Sequence, residues 1–129
     1  KYQDTLTFSI DGENDLIHYE QKTWLIKDTQ SSPSHWESGF ITPTDIKNHF
    51  EISNSQDSGR VEVLHGNYTS KNGSNILHFK MKLINNDPRM VSTERIFTVK
   101  ENTMSYIMKM TTKNTIKHQQ HLQSSLTKK

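Results

Sequence analysis

A spacing of two runs along most of this chain. Leu6, Phe8 and Ile10 alternate with Thr5, Thr7 and Ser9, and Asp11-Gly12 follows as a turn. Leu16 to Ile26 reads as one long strand. His35 to Ile41 reads as another, with Trp36, Ser38 and Phe40 on one face, and Ile46, Asn48, Phe50 and Ile52 mark the next. Asp57-Ser58-Gly59 turns the chain into a strand over Val61 to Thr69, in which Gly66 predicts a bulge or a bend at a barrel corner. Lys71-Asn72-Gly73 is a hairpin signal. Leu77, Phe79, Met81 and Leu83 then alternate with His78, Lys80 and Lys82, the clearest amphipathic stretch of the sequence. After a loop over Asn85 to Pro88, two more strands run from Val91 to Val99 and from Met104 to Thr111, separated by Glu101-Asn102. Thr115 to Lys128 is ambiguous: Leu122 and Leu126 suit a helix, while Thr, Ser and Gln suit either state.

Alanine, the best helix former, is absent from the chain, and Thr, Ser and Asn are abundant. Short strands in sequence with turns between them, and no helical insert, predict an antiparallel meander. Closing that meander into a barrel would remove its exposed edges. With 129 residues, the chain has the size of a single domain over 1–129.

Composition changes this picture in one respect. Hydrophobic residues make up 30% of the chain and mean hydropathy is −0.85, which at first suggests disorder. Two Trp, four Tyr and five Phe at spaced positions argue against it. A hollow barrel reconciles the two, because a lumen holding ligand or water needs fewer apolar side chains. Sixteen Lys and Arg against fourteen Asp and Glu give a net charge of +2, too balanced to draw nucleic acid or an anionic membrane. There is no cysteine, hence no disulfide framework and no thiolate chemistry. No visible signal peptide and no apolar run of spanning length lead to the expectation of a cytoplasmic protein.

Candidate chemistry is sparse. Of seven histidines, His18 and His78 sit on polar faces, where an imidazole is most often simply solvated. His118 and His121 lie three apart, a zinc spacing on a helix, but no acidic or thiol partner accompanies them. No nucleophile elbow or phosphate loop is present. Glu37 is a candidate ion-pair partner for Arg60 or Arg95, a structural role more often than a catalytic one. Arg60, Arg89 and Arg95 are the only arginines, and none is placed inside by pattern alone. Met104, Tyr106, Met108 and Met110 share one strand face, either as plain core or as a soft wall for a flat macrocycle.

Four blocks in order make a more specific signal: Gln21 to Trp24 (Gln-Lys-Thr-Trp), Glu37 to Phe40 (Glu-Ser-Gly-Phe), Gly59 to Tyr68, and the closing His121-Leu122 with Leu126 and Lys128. Together with Tyr2 to Phe8 and the Arg95-x-Phe97 pair, they resemble the nitrobindin family, a calycin-like group of haem-binding β-barrels. The resemblance implies an all-β antiparallel barrel of about nine strands, with the family's first strand missing before Lys1 and an open edge between the Tyr2 and His121 strands. It also implies that the ambiguous last segment is a strand. It implies haem b as cofactor, His121 as the proximal iron ligand, and His35, Gln56, Met108 and Met110 around the haem. By the same resemblance the ferric form binds nitric oxide and isomerises peroxynitrite to nitrate, and a homodimer is compatible with it.

Ser34, Thr42 and Gln120 depart from residues common in the family, namely methionine, arginine and proline. Two other readings compete. One is a lipid- or small-molecule-binding barrel without chemistry, which would normally place arginines inside to meet a carboxylate. The other is an interaction domain without haem. A Soret band separates the first reading from both.

Overall fold

The computed structural model describes residues 1–113 with their side chains and 119–127 as backbone. Nine strands follow one another: β1 (Tyr2–Asp11), β2 (Leu16–Lys27), β3 (Gln30–Pro43), β4 (His49–Gln56), β5 (Val61–Lys71), β6 (Ser74–Asn85), β7 (Met90–Lys100), β8 (Thr103–Thr112) and β9 (Gln119–Thr127). They pair in chain order, all antiparallel, in one nine-stranded sheet that curls as a barrel. β1 and β9 form the two edges. Among the described residues they approach each other without a ladder between them.

Turn chemistry explains the meander. Asn72 and Gly73 both take positive φ, 52° and 80°, the geometry of a tight hairpin whose twist matches its strands. Asp15, Asp28, Asn48, Asn86 and Glu101 hold the left-handed conformation at other corners, mostly short side chains that can bond locally there. Asn48 corrects one expectation. The fourth strand begins at His49, not Ile46, because the left-handed Asn48 ends the turn, and Ile46 is left exposed.

The strand phase read from the sequence sorts the two faces of the sheet. Tyr19, Ile41, Ile52, Leu64, Phe79, Phe97 and Tyr106 form the buried core, with Leu6, Ile17, Phe50, Leu77 and Met104 packed against it. Gly66 does not make the expected bulge. It pairs regularly with Phe79, and a Cβ there would overlap the backbone carbonyl of His78, so glycine permits the close approach of β5 and β6. The bulge on this pair lies nearby, between Val63 and Leu64.

Candidate functional site

The same inward phase that carries Ile41, Ile52, Leu64 and Phe97 carries polar side chains toward the other end of the barrel. On β2 it holds Gln21 and Thr23; on β3, Glu37; on β4, Asn54 and Gln56. On β5 it holds Glu62, and on β7, Thr93 and Arg95. All eight are buried, and Arg95 is 1% exposed. The lumen expected to be hollow is here occupied by a network of charged and amide side chains.

Arg95 lies at the centre. Its Nη1 donates to Glu37 Oε2 at 2.7 Å and its Nη2 to Glu37 Oε1 at 3.1 Å, a two-pronged pair. Nη2 also donates to Glu62 Oε1 at 2.9 Å. Tyr19 Oη donates to Glu37 Oε2 at 2.6 Å, and Thr93 Oγ1 to Glu62 Oε2 at 2.6 Å. The Gln56 amide nitrogen donates to Glu62 Oε1 and, at 3.2 Å, to Asn54 Oδ1, while its oxygen accepts from Arg60 Nε at 2.9 Å. Arg60 Nε lies 3.8 Å from Glu62 Oε1, so two guanidinium groups balance two carboxylates. Among the buried donors, Arg95 Nε has no partner, and Asn54 Nδ2 sits near the Tyr19 hydroxyl without reaching hydrogen-bond geometry.

The electrostatics follow from this arrangement. Burial alone would push the Glu37 carboxyl up. The Arg95 charge and hydrogen bonds from His35, Arg95 and Tyr19 outweigh it, and hold the group ionised well below the usual carboxylate range. Burial likewise opposes the charge on Arg95, and Glu37, Tyr19 and Glu62 overcome it. Burial raises both Tyr19 and Tyr106, so both phenols stay protonated; Tyr19 donates to Glu37 and Tyr106 accepts from Gln21.

Above this network lies a rim. Gln21 Nε2 bonds Tyr106 Oη across the interior, which ties β2 to β8 at one level. The two strands run in the same direction, so Thr23 and Met108, two residues further on, also share a level. His35 pairs with Thr23, and Leu122 with Met108, which brings β3 and β9 to the same level. Register shifts gather here. Ser34 is skipped beside His35, His121 between Leu122 and Gln120, and Val91 between Met90 and Ser92. Such bulges concentrate at barrel rims and beside sites, where they re-aim a side chain.

At this rim His35 is half-buried, and its Nε2 lies 2.9 Å from Glu37 Oε1. Its Nδ1 is 3.9 Å from Asp57 Oδ1, beyond hydrogen-bond range. Met108 is buried and Met110 half-buried on the inward face of β8. Gln56 is buried one row from His35, both ends of its amide engaged. His121 lies within β9, but its side chain falls outside the described residues, as does His118 entirely. A recess of about 320 Å³ lies on the outer face of β2, β3 and β4, lined by Glu20, Lys22, Trp36, Ser38 and Ser55 among others.

Two expectations need correction. Arg95 and Arg60, which pattern alone did not place inside, are internal. The lipid-carrier reading gains no support from this, because Arg95 spends both Nη groups on Glu37 and Glu62. His78 is not simply solvated, since its Nε2 bonds Glu94, and His18 Nε2 pairs with Ser38 Oγ at 2.9 Å. Sequence reasoning missed Glu62, Gln21 and Tyr19. The available signal was phase: Glu62 shares the face of Leu64, and Gln21 that of Tyr19. A larger recess, about 380 Å³ on the outer face, is lined by His49, His65 and His78. Among the described residues no three His, Cys, Asp or Glu groups converge as a metal site.

A curled antiparallel sheet with a polar floor, a thioether wall and a bulged rim is a small ligand-binding β-barrel. Residues 1–128 match the model of the THAP4-like, heme-binding beta-barrel domain, and the chain belongs to that family, the nitrobindins. A protein of Arabidopsis thaliana named peroxynitrite isomerase Rv2717c is 31% identical over 128 residues, covering 99% of this chain and 73% of that protein. The crystal structure of Rv2717c from M. tuberculosis superposes with a TM-score of 0.85 at 20% identity, covering 99% of this chain and 80% of that one, and shows the same fold.

Proposed function

We propose that this protein holds haem b at the rim of its barrel with His121 as the axial iron ligand, binds nitric oxide there and converts peroxynitrite to nitrate. The observation that carries the reading is the shared level of His35, Met108 and the β9 bulge at His121. The donor chemistry fits. Iron(III) porphyrins take an imidazole readily, no cysteine competes, and the thioethers of Met108 and Met110 give a soft apolar wall.

A ferric haem held there would supply the iron chemistry for rearranging peroxynitrite to nitrate. The chain's own part is to position and to exclude. Met108 and Met110 keep water from the wall they form. Gln56 is a fixed polar surface, because both ends of its amide are bonded. The buried network beneath gives the rim a rigid floor. The name of the Arabidopsis relative supports the peroxynitrite reaction.

The test is titration with haemin. The wild type should develop a Soret band, and His121→Ala should abolish it while the far-UV spectrum stays that of a β protein. Haem binding that survives His121→Ala but disappears in His35→Ala or His118→Ala would overturn the ligand assignment. Haem-loaded protein should speed peroxynitrite decay over buffer and protect tyrosine from nitration. Equal decay rates would overturn the reaction.

A further inference from the structure

The recess of about 380 Å³ on the outer face of β4, β5 and β6 takes no part in the haem reading. Its lining is His49, His65, Gly66, Asn67, His78 and Lys80, with no carboxylate among them. The register explains the gathering. Asn67 pairs with His49 on one side and His78 on the other, and His65 pairs with Lys80 in the next outward row. Neighbours and diagonals on one sheet face lie within side-chain reach of one another. Gly66 adds only backbone between His65 and Asn67, and it lets β5 and β6 come close there.

The charges around the recess leave its donors unspent. Two carboxylates border it, Glu51 opposite His65 and Glu94 opposite Lys80. Glu51 Oε2 is engaged by Lys82 Nζ at 3.6 Å, and Glu94 by His78 Nε2. Lys109 flanks Glu94 from β8, Ile96 faces His78 from β7, and exposed Asp45 and Lys47 offset each other in the turn before His49. The side chains of His49, His65, Asn67 and Lys80 have no hydrogen bond or ion pair among the described residues. With neutral imidazoles, Lys80, Lys82 and Lys109 stand against Glu51 and Glu94, a slight positive excess. Protonated, His49 and His65 add their charges directly at the recess.

We propose that this recess binds a tetrahedral oxyanion, a sulfate or phosphate group either free or at the head of a larger molecule, held by His49, His65, Asn67 and Lys80. A metal ion needs several lone pairs aimed at one point, and no three such groups converge among the described residues. An oxyanion instead accepts from donors spread around its oxygens, which is what imidazolium, ammonium and amide N–H groups lining a concavity offer. Imidazole changes charge between about pH 5 and 8, so the site fills on acidification. The proposal stands apart from the haem reading.

The test is a sulfate titration of the whole chain followed by proton–nitrogen correlation spectra, with chloride holding ionic strength constant. Sulfate keeps both its charges throughout, so any pH effect belongs to the protein. At about pH 5.5 the signals of His49, His65, Asn67 and Lys80 should move together and saturate, and affinity should fall at least about fivefold by about pH 7.5 as charge-assisted bonds become neutral ones. His65→Gln combined with Lys80→Gln, both at exposed positions, should weaken binding at least about tenfold. Lys27→Gln, exposed at the end of β2, should leave it unchanged.

Glycerol 3-phosphate and inorganic phosphate, compared at one pH, separate the two sources. Tighter binding of the ester identifies a head group, and equal binding identifies the free ion. Shifts that stay linear in sulfate, shifts scattered over the whole surface, or an unchanged affinity in the double variant would overturn the proposal. Zinc that saturates the three histidines where sulfate does not would overturn it in favour of a metal site.

Discussion

The two ends of this barrel are built on the same strand phase and held by opposite physics. At one end Ile41, Ile52, Leu64, Phe79 and Phe97 fill the interior, with Phe97 stacked on Tyr106 at 5.8 Å and edge-on to Phe79 at 6.1 Å. At the other, Glu37, Glu62, Arg60 and Arg95 occupy equivalent inward positions. The apolar end contributes non-directional burial that tolerates small shifts. The polar end contributes little net stability, since desolvation offsets its ion pairs, but it allows only one arrangement. The difference explains where the rim sits. A binding wall needs fixed side chains, and a densely bonded polar network fixes them better than apolar contact does.

Removing one member of the network should do the most damage. Arg95→Met leaves Glu37 and Glu62 buried without their shared cation and should cost about 3–5 kcal/mol in urea unfolding. Changing the whole triad in one chain (Glu37→Gln, Arg95→Met, Glu62→Gln) should cost less than Arg95→Met alone. A triple variant less stable than the single one would show that the network itself carries the fold.

The same comparison can be sharpened with acid. The Glu37 carboxyl is depressed below its usual value of about 4.5. A depressed group contributes stability above its unfolded pKa, and that stability drains away as pH falls through the folded one. Unfolding free energy should therefore begin to fall below about pH 4.5, and Arg95→Met should flatten that slope. Leu64→Ala, at the apolar end, should cost about 2–5 kcal/mol by the same measurement and leave the acid slope unchanged.

Smaller effects test the walls. Gly66→Ala forces β5 and β6 apart at the His78 carbonyl and should cost about 1–3 kcal/mol, read from the shift in thermal midpoint. On the outer face, Lys22 Nζ lies 4.8 Å over the Trp36 ring, and Trp36 meets Trp24 edge-on. Lys22→Ala should cost only about 0.5 kcal/mol, and a loss as large as that of Leu64→Ala would show that the outer face shares the load of the interior.

Much of this molecule was legible as pattern. Alternation marked the strands, and Asn72-Gly73 marked a hairpin, because side-chain period and turn preference are local properties. The fourth strand was misplaced at its start because Ile46 and Asn48 fall on the right period by chance, while the left-handed Asn48 belongs to the turn. The Glu37–Arg95 pairing could be suspected but not assigned, since 58 positions separate the two residues. Glu62 went unseen altogether. A carboxylate in phase with Leu64 looks like a break in the pattern until its partners are known.

The sequence by itself determined the class of fold, the order of strands and the family, because each is encoded in short-range period and in blocks of neighbouring residues. Only the tertiary structure decided what the inward phase means at each end. Burying a charge is prohibitive alone and tolerable with a counter-charge, and the counter-charge comes from another strand. Curling the sheet brings Arg95 between Glu37 and Glu62.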